Sequence, residues 1–322
     1  MLSRAQTTTP HRLVELDIDA DPSLTEKVGD QAPVIQVGPY VLRWPFTEQE
    51  LRVSLGAAAD RMQHYEQSGD RRYESRMKRG RTISGADRFS YWLSRRYMWI
   101  ISVLLFIYVG LPFLAPVFMH YQIDGPAKVI YSIYRPLCHQ LGFRSVFLFG
   151  EQPVYPRALA HVDDLITYEQ ATQQDEIDVL AARKFVGNEV MGYKTALCQR
   201  DLAIYGAMLL FSVVFMLSGR RIKAIPWYVW IAVGLVPIAI DGLSQLPSVA
   251  AAIMPPWIPI RESIPALRYL TGALFGLTTA WYLFPMVEET MQETARVLSR
   301  KFTIIDQLEN SNQIVEPNGI SE

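Results

Sequence analysis

The chain holds two cysteines, and each stands beside other groups able to bind a metal or move a proton. Cys138 is followed by His139, and Cys198 precedes Asp201. Thiolate, imidazole and carboxylate form the ligand set that zinc prefers. Cys138, His139, Cys198 and Asp201 are therefore the candidate metal ligands, and zinc there would activate a water. Adjacent residues diverge on a regular helix, so Cys138 and His139 both ligate only at a break or a helix end. Two other chemistries compete. A Cys138–Cys198 disulfide is natural in an oxidising compartment and would close a loop of ~60 residues; alternatively, the two thiols are buried and unrelated. Asp241 and Gln245 are spaced i, i+4 and share a helix face. Asp241 or Asp201 is the candidate base, and Arg200, Arg268 or Arg144 would bind an anionic group such as a lipid phosphate. The reading without chemistry is an Asp241–Arg268 or Asp201–Arg200 ion pair that only fixes helix packing.

The elements that must position these residues are membrane helices. Four apolar runs, 99–119, 202–217, 227–246 and 267–287, are each long enough to cross a bilayer, whose ~30 Å hydrocarbon core takes ~20 mostly apolar residues in a helix. Arg71, Arg72, Arg76, Lys78, Arg79, Arg81, Arg88, Arg95 and Arg96 precede the first run. Arg220, Arg221 and Lys223 separate the second from the third, and Arg296, Arg300 and Lys301 follow the fourth. The loop before the fourth has Arg261 and Glu262, which cancel. By the positive-inside rule both termini are cytoplasmic, and 121–200 and 247–266 face outward. That topology brings Cys138, His139, Cys198, Arg200, Asp201, Asp241, Gln245 and Arg268 to one depth at the outer side of the plasma membrane. Ionisable groups within a membrane are functional by default.

The first outward segment shows a helical face of Ile130, Ile133, Leu137 and Leu141, interrupted by Lys128, Arg135, His139 and Arg144. Four such groups rule against a span, and an interfacial or re-entrant amphipathic helix is expected. Pro237, one turn before Asp241, predicts a kink. The polar stretch 151–194 reads as a loop with a short helix near 168–184. Thr47-Glu48-Gln49-Glu50 is a capping box, and Leu51, Leu55, Ala58, Met62 and Tyr65 form the seam of the helix it opens. Met291, Leu298, Phe302, Ile305 and Leu308 share a face on a continuation of the last span to about Glu309.

The expected fold is an all-α integral membrane protein. It has four transmembrane helices, an outward interfacial or re-entrant helix, and cytoplasmic terminal helices. Its parts are a disordered N-terminus (1–37, with Thr7, Thr8, Thr9, Pro10, Asp17, Asp19, Asp21 and Pro22), a cytoplasmic helical and basic region (38–96), a membrane domain (97–288, with the outward insertion 151–194) and a cytoplasmic helical tail (289–322). The polar first ~95 residues predict no secretory signal peptide, with the first apolar run a retained anchor. The cytoplasmic helices pack together or recruit a membrane-protein partner or a second copy. Nucleic acid is excluded as a partner because no aromatic or binding motif accompanies the basic stretch. No P-loop, G-x-S-x-G or H-E-x-x-H motif occurs.

The motifs also carry a resemblance. Cys138-His139-Gln140 with Arg144-Ser145, Cys198-x-Arg200-Asp201-x-x-Ile204-Tyr205, Asp241-Gly242-x-x-Gln245 and Arg268-x-x-Thr271-Gly272 together resemble a bacterial and archaeal membrane-protein family known as domain of unknown function 2085. The resemblance covers 98–287. Some members resemble this pattern with a second Cys where Asp201 stands here. The family implies a membrane fold and brings no established activity.

Three functions fit these residues: a metal-dependent enzyme acting on an anionic or lipid substrate at the outer face, a non-catalytic membrane subunit or scaffold, and a transporter or lipid-handling protein.

Overall fold

Apolar content sets the longest helices. A computed structural model describes residues 2–6, 9, 11–19, 24–25, 28–69, 75, 78–174, 177–246 and 262–315. Arg71, Arg72, Arg76 and Arg261 lie outside the described residues, as do Thr7, Thr8, Pro10, Asp21, Pro22 and positions 247–261 of the outward loop. The chain divides into two units, Met1–Arg95 with Met291–Glu322, and Arg96–Thr290.

In the first unit, strands β1 (Val34–Val37) and β2 (Tyr40–Arg43) form an antiparallel hairpin that crosses the expected boundary at residue 37. Helix α1 (Glu48–Ser68) starts at the capping box: Glu50 N–H donates to Thr47 Oγ1 at 3.2 Å, and Thr47 N–H to Glu50 Oε2 at 2.7 Å. Of the seam expected on α1, Leu51 and Leu55 are buried with Ala5, flanked by Ile35, Val37 and Leu42 of the hairpin. Met62, further along, is exposed.

Among the described residues, three helices are long and apolar enough to cross a membrane. They are α2 (Gly85–His120), α6 (Gln199–Leu217) and the stretch Pro265–Asn310 of α8 (Pro265–Val315). Phe106 and Leu217 on these helices are 66% and 83% exposed. Contiguous apolar side chains left uncovered to that degree need hydrocarbon rather than water around them. The expected continuation of the last span to about Glu309 is present and α8 runs on to Val315, with Ile305 buried and Met291, Leu298, Phe302 and Leu308 half-buried.

The third apolar run departs from expectation. It forms α7 (Trp227–Leu243), 17 residues at most. At 1.5 Å per residue that is ~25 Å, short of a ~30 Å core. Among the described residues, the helices of full spanning length are therefore three, with α7 a shorter apolar helix beside them. Residues Trp230–Leu235 are π-helical. Pro237 lacks an N–H and its ring crowds the preceding turn, and the wider π-helical turn directly before it relieves that crowding.

The membrane unit is mostly helical but not all-α. A three-stranded antiparallel sheet has the order β3 (Ser145–Leu148), β5 (Gly192–Cys198), β4 (Gly187–Asn188). Of its strands, β4 and the start of β5 fall in the stretch 151–194, and the short helix expected near 168–184 is present as two, α4 (Tyr168–Thr172) and α5 (Val179–Lys184). Most of β5 is buried on both sides, so it shows no alternation to betray a strand. Gly192, at φ +76°, is required there: a Cβ would stand 2.2 Å from the Leu148 carbonyl oxygen.

The amphipathic segment is also shorter than expected. Helix α3 (Asp124–Tyr134) buries Ala127, Ile130, Tyr131 and Tyr134 and ends before Pro136. Ile133 and Leu137, assigned above to the apolar face, are exposed. The expected face combined residues that a helix ending at Tyr134 cannot align.

Candidate metal and anion site

Cys138 is set by the way α3 stops. Its N–H donates to the Tyr134 carbonyl at 2.9 Å, closing one turn beyond the helix. Gln140 follows in the left-handed region, at φ +53°. Its buried amide donates to the carbonyls of Tyr131 (2.9 Å) and Ala196 (3.1 Å), stapling the turn to β5. Lys194, itself buried in β5, donates from Nζ to the carbonyls of Gln140 (2.5 Å) and Arg183 (2.9 Å). Burial pushes the Lys194 ammonium down to about 7. Sequence reasoning assigned roles to neither Gln140 nor Lys194. A glutamine within a motif and a lone lysine in an apolar strand are the signals that were present.

Cys198 reaches the same place from the other strand. It ends β5, pairs in register with Ser145 of β3, and is the N-cap of α6. Asp201 lies three residues on, in the first turn of α6, where a carboxylate is favoured by the helix dipole and shares a side with the N-cap. One ligand atom each from Cys138, Cys198 and Asp201 lie within 4.8 Å of one another. Tetrahedral zinc–thiolate geometry, with Zn–S near 2.3 Å, needs sulfurs about 3.8 Å apart. The set therefore fits a thiophilic ion with small side-chain adjustments. His139 is exposed and is not in that cluster, because neighbouring residues in the turn point apart. Both cysteines are free thiols. Hydrogen bonding to Cys138, then burial, then the Asp201 charge push the Cys198 thiol well above its ordinary range. Metal binding there would displace protons.

The cluster opens on a cavity of about 370 Å³. Its walls bring together seven of the eight residues expected at one depth: Cys138, His139, Cys198, Arg200, Asp201, Gln245 and Arg268. Arg144 joins them. The eighth, Asp241, is buried behind the wall and accepts from Arg200 Nη2 in a short ion pair. Ser263 Oγ donates to the same carboxylate at 3.0 Å, and Gln245 Nε2 to the Asp241 carbonyl at 2.6 Å.

The expected Asp241–Arg268 pair is replaced. Arg268 donates to Glu262 in a short ion pair and to the Phe143 carbonyl at 3.3 Å. Glu262 also takes both arms of Arg144, at 2.9 and 3.1 Å. Two guanidinium groups thus share one buried carboxylate, so that trio carries one positive charge, which Asp201 on the same wall balances. In the sequence Glu262 only cancels Arg261; its place as the one acid between Arg261 and Arg268 is the signal that marks it. Arg200 Nε and Gln245 Oε1 are buried without a hydrogen-bond partner among the described residues. Buried polar atoms in that state ordinarily meet water, an ion or a ligand.

Close helix contact fixes Arg200. At Gly272 of α8 a Cβ would lie 2.7 Å from the Arg200 carbonyl oxygen, and at Gly276 one would lie 2.1 Å from that of Ile204. Only glycine lets α8 press against α6 at this level.

Residues 184–282 match the family model described as Predicted membrane protein (DUF2085). The resemblance read from the motifs is thereby found over that range, narrower than 98–287. It takes in Cys198, Arg200, Asp201, Asp241, Gln245, Glu262 and Arg268, while Cys138, His139 and Arg144 precede it. An uncharacterized protein of Methanocaldococcus jannaschii is 26% identical over 205 residues, which cover 61% of this chain and 96% of that protein. No solved structure matches.

Proposed function

We propose that this membrane protein binds a divalent thiophilic ion, zinc by its donor set, at Cys138, Cys198 and Asp201, and an anionic group in the adjoining arginine-lined cavity. The observation that carries the reading is the convergence of those three ligand atoms within 4.8 Å on the wall that also holds Arg144, Arg200 and Arg268. Three protein ligands with an open fourth position are the arrangement of catalytic zinc, which supplies an activated water or a Lewis acid. Arg144 and Arg268 attract and orient the anion. His139 stands exposed at the cavity, and Asp241 is the candidate base behind Arg200. The site lies at the outer face, with both termini cytoplasmic and α7 crossing as a fourth, thin span of the plasma membrane. The parity of the basic clusters supports this: three spans would leave Arg296, Arg300 and Lys301 outside.

A second reading has its own support. The ion pairs Arg200–Asp241 and Arg144–Glu262–Arg268 tie the turn before β3 to α6, α7 and α8, which is what a non-catalytic membrane subunit or scaffold needs of a polar cluster.

Elemental analysis of the detergent-purified full chain separates the two, alongside mass measurement after alkylation under denaturing, non-reducing conditions. The metal reading expects about one zinc per chain, lost in both Cys138→Ser and Cys198→Ser. Two alkylated thiols without metal, or a Cys138–Cys198 disulfide, overturn it and leave the scaffold reading.

A further inference from the structure

We propose that the anion is the phosphate head of a membrane lipid whose acyl chain lies in an apolar groove continuing from the cavity; this rests on the anion-binding part of the reading above. The groove holds about 490 Å³ and is lined by Ala203, Gly206, Ala207 and Leu210 of α6, with Phe113 and Ala273 opposite. Its walls are almost wholly apolar, whereas the cavity is ringed by arginines.

The two spaces follow one another along three segments of chain. Arg144 of the cavity is followed by Val146 of the groove, Asp201 by Leu202, and Arg268 by Tyr269. Three separate elements thus carry polar and apolar lining residues side by side. A single amphiphile with an anionic end and a hydrocarbon end matches that transition; free phosphate would leave the groove unused. From Leu202 to Leu210 the groove follows α6 for ~12 Å, enough for a substantial part of an acyl chain. It lies on helices long and apolar enough to span the bilayer, so a lipid enters it sideways without passing through water. Donor geometry selects the head: Arg144 and Arg268 share the single carboxylate of Glu262, and a phosphate monoester or diester offers oxygens that accept from guanidinium donors.

Gly206 makes the idea testable. A Cβ there meets nothing within 4 Å. A leucine at that position starts from an unobstructed Cβ on the groove wall and takes up groove space.

The experiment measures affinity of the purified full chain, in a neutral detergent, for dioctanoyl phosphatidic acid, dioctanoyl phosphatidylcholine and inorganic phosphate, with metal content determined on the same samples. Wild type is expected to bind the phosphatidic acid at least tenfold more tightly than either comparison probe. Gly206→Leu should lose the advantage over inorganic phosphate and keep both its metal and its phosphate affinity. Leu210→Trp, which narrows the groove from its exposed edge, should do the same and stands in if Gly206→Leu misfolds. The proposal is overturned if phosphate binds as tightly as the lipid, if phosphatidylcholine binds equally well, or if neither groove variant changes the ratio. Lipid selectivity in metal-free protein defeats the metal reading and keeps the lipid site. Metal without lipid selectivity does the reverse.

Discussion

Lys194 is the residue whose environment has the most direct consequence in solution. Its Nζ is enclosed and meets two carbonyl oxygens, as many acceptors as a neutral amine has N–H bonds. Burial first, and then the Arg135 and Arg183 charges, hold its ionisation down to about 7, with Cys138 opposing. An unfolded lysine titrates near 10.4. Between those values the unfolded chain carries a proton that the folded chain lacks, so this residue makes stability rise with pH from about 7 to about 10 and contributes no slope below 7. Melting of wild type and Lys194→Met in detergent between pH 6 and 9.5 checks this. The difference between the two melting temperatures should shift in favour of wild type above pH 7, and parallel curves would refute the assignment. At this scale the cysteines, arginines and Asp201 were legible because spacing and charge mark them. Gln140, Lys194 and Glu262 were not read, since their roles depend on backbone carbonyls and arginines far away in sequence.

Elements decide which of those residues meet. The three long helices and the extension of α8 were legible, because hydropathy over some twenty residues is a strong signal. The strand β5 was not: Tyr193, Lys194, Thr195, Ala196, Leu197 and Cys198 show no alternation, since nearly every side chain there is enclosed. Missing it hides how Cys198 comes to lie beside Cys138, because strand pairing with Ser145 and the turn after α3 jointly fix that approach. The contact between α6 and α8 is equally element-level. It depends on Gly272 and Gly276, which in sequence are two small residues in an apolar run. Gly276→Ala would place a methyl group 2.1 Å from the Ile204 carbonyl, and overpacking of this kind costs about 1–3 kcal/mol. Its melting temperature should fall by several degrees. Gly110→Ala, where a Cβ meets nothing within 4 Å, should melt as wild type does. Equal melting of the two variants would show that α6 and α8 do not press together at Ile204.

Topology belongs to the whole molecule and turns on α7. The helix is 17 residues long, π-helical in the middle and ~25 Å from end to end, so length alone leaves it below an average span. Charge argues the other way. Arg220, Arg221 and Lys223 precede it, and Arg296, Arg300 and Lys301 follow the last span; both groups occupy the cytoplasm only if α7 crosses between them. A thin span is tolerated where the bilayer thins or flanking residues reach out, at fractions of a kcal/mol per Å. Trp227 and Tyr228, both exposed at the start of α7, are the interfacial anchors such a helix uses. Single cysteines at Ser68, Gln174 and Thr303, each at an exposed position, decide the matter in a background with Cys138 and Cys198 replaced by serine. With four crossings, an impermeant thiol reagent applied to intact cells labels position 174 and neither 68 nor 303. With three, position 303 labels as well. Labelling at 68 without labelling at 174 would invert the protein and put the cavity, its arginines and the lipid it is proposed to hold on the cytoplasmic leaflet.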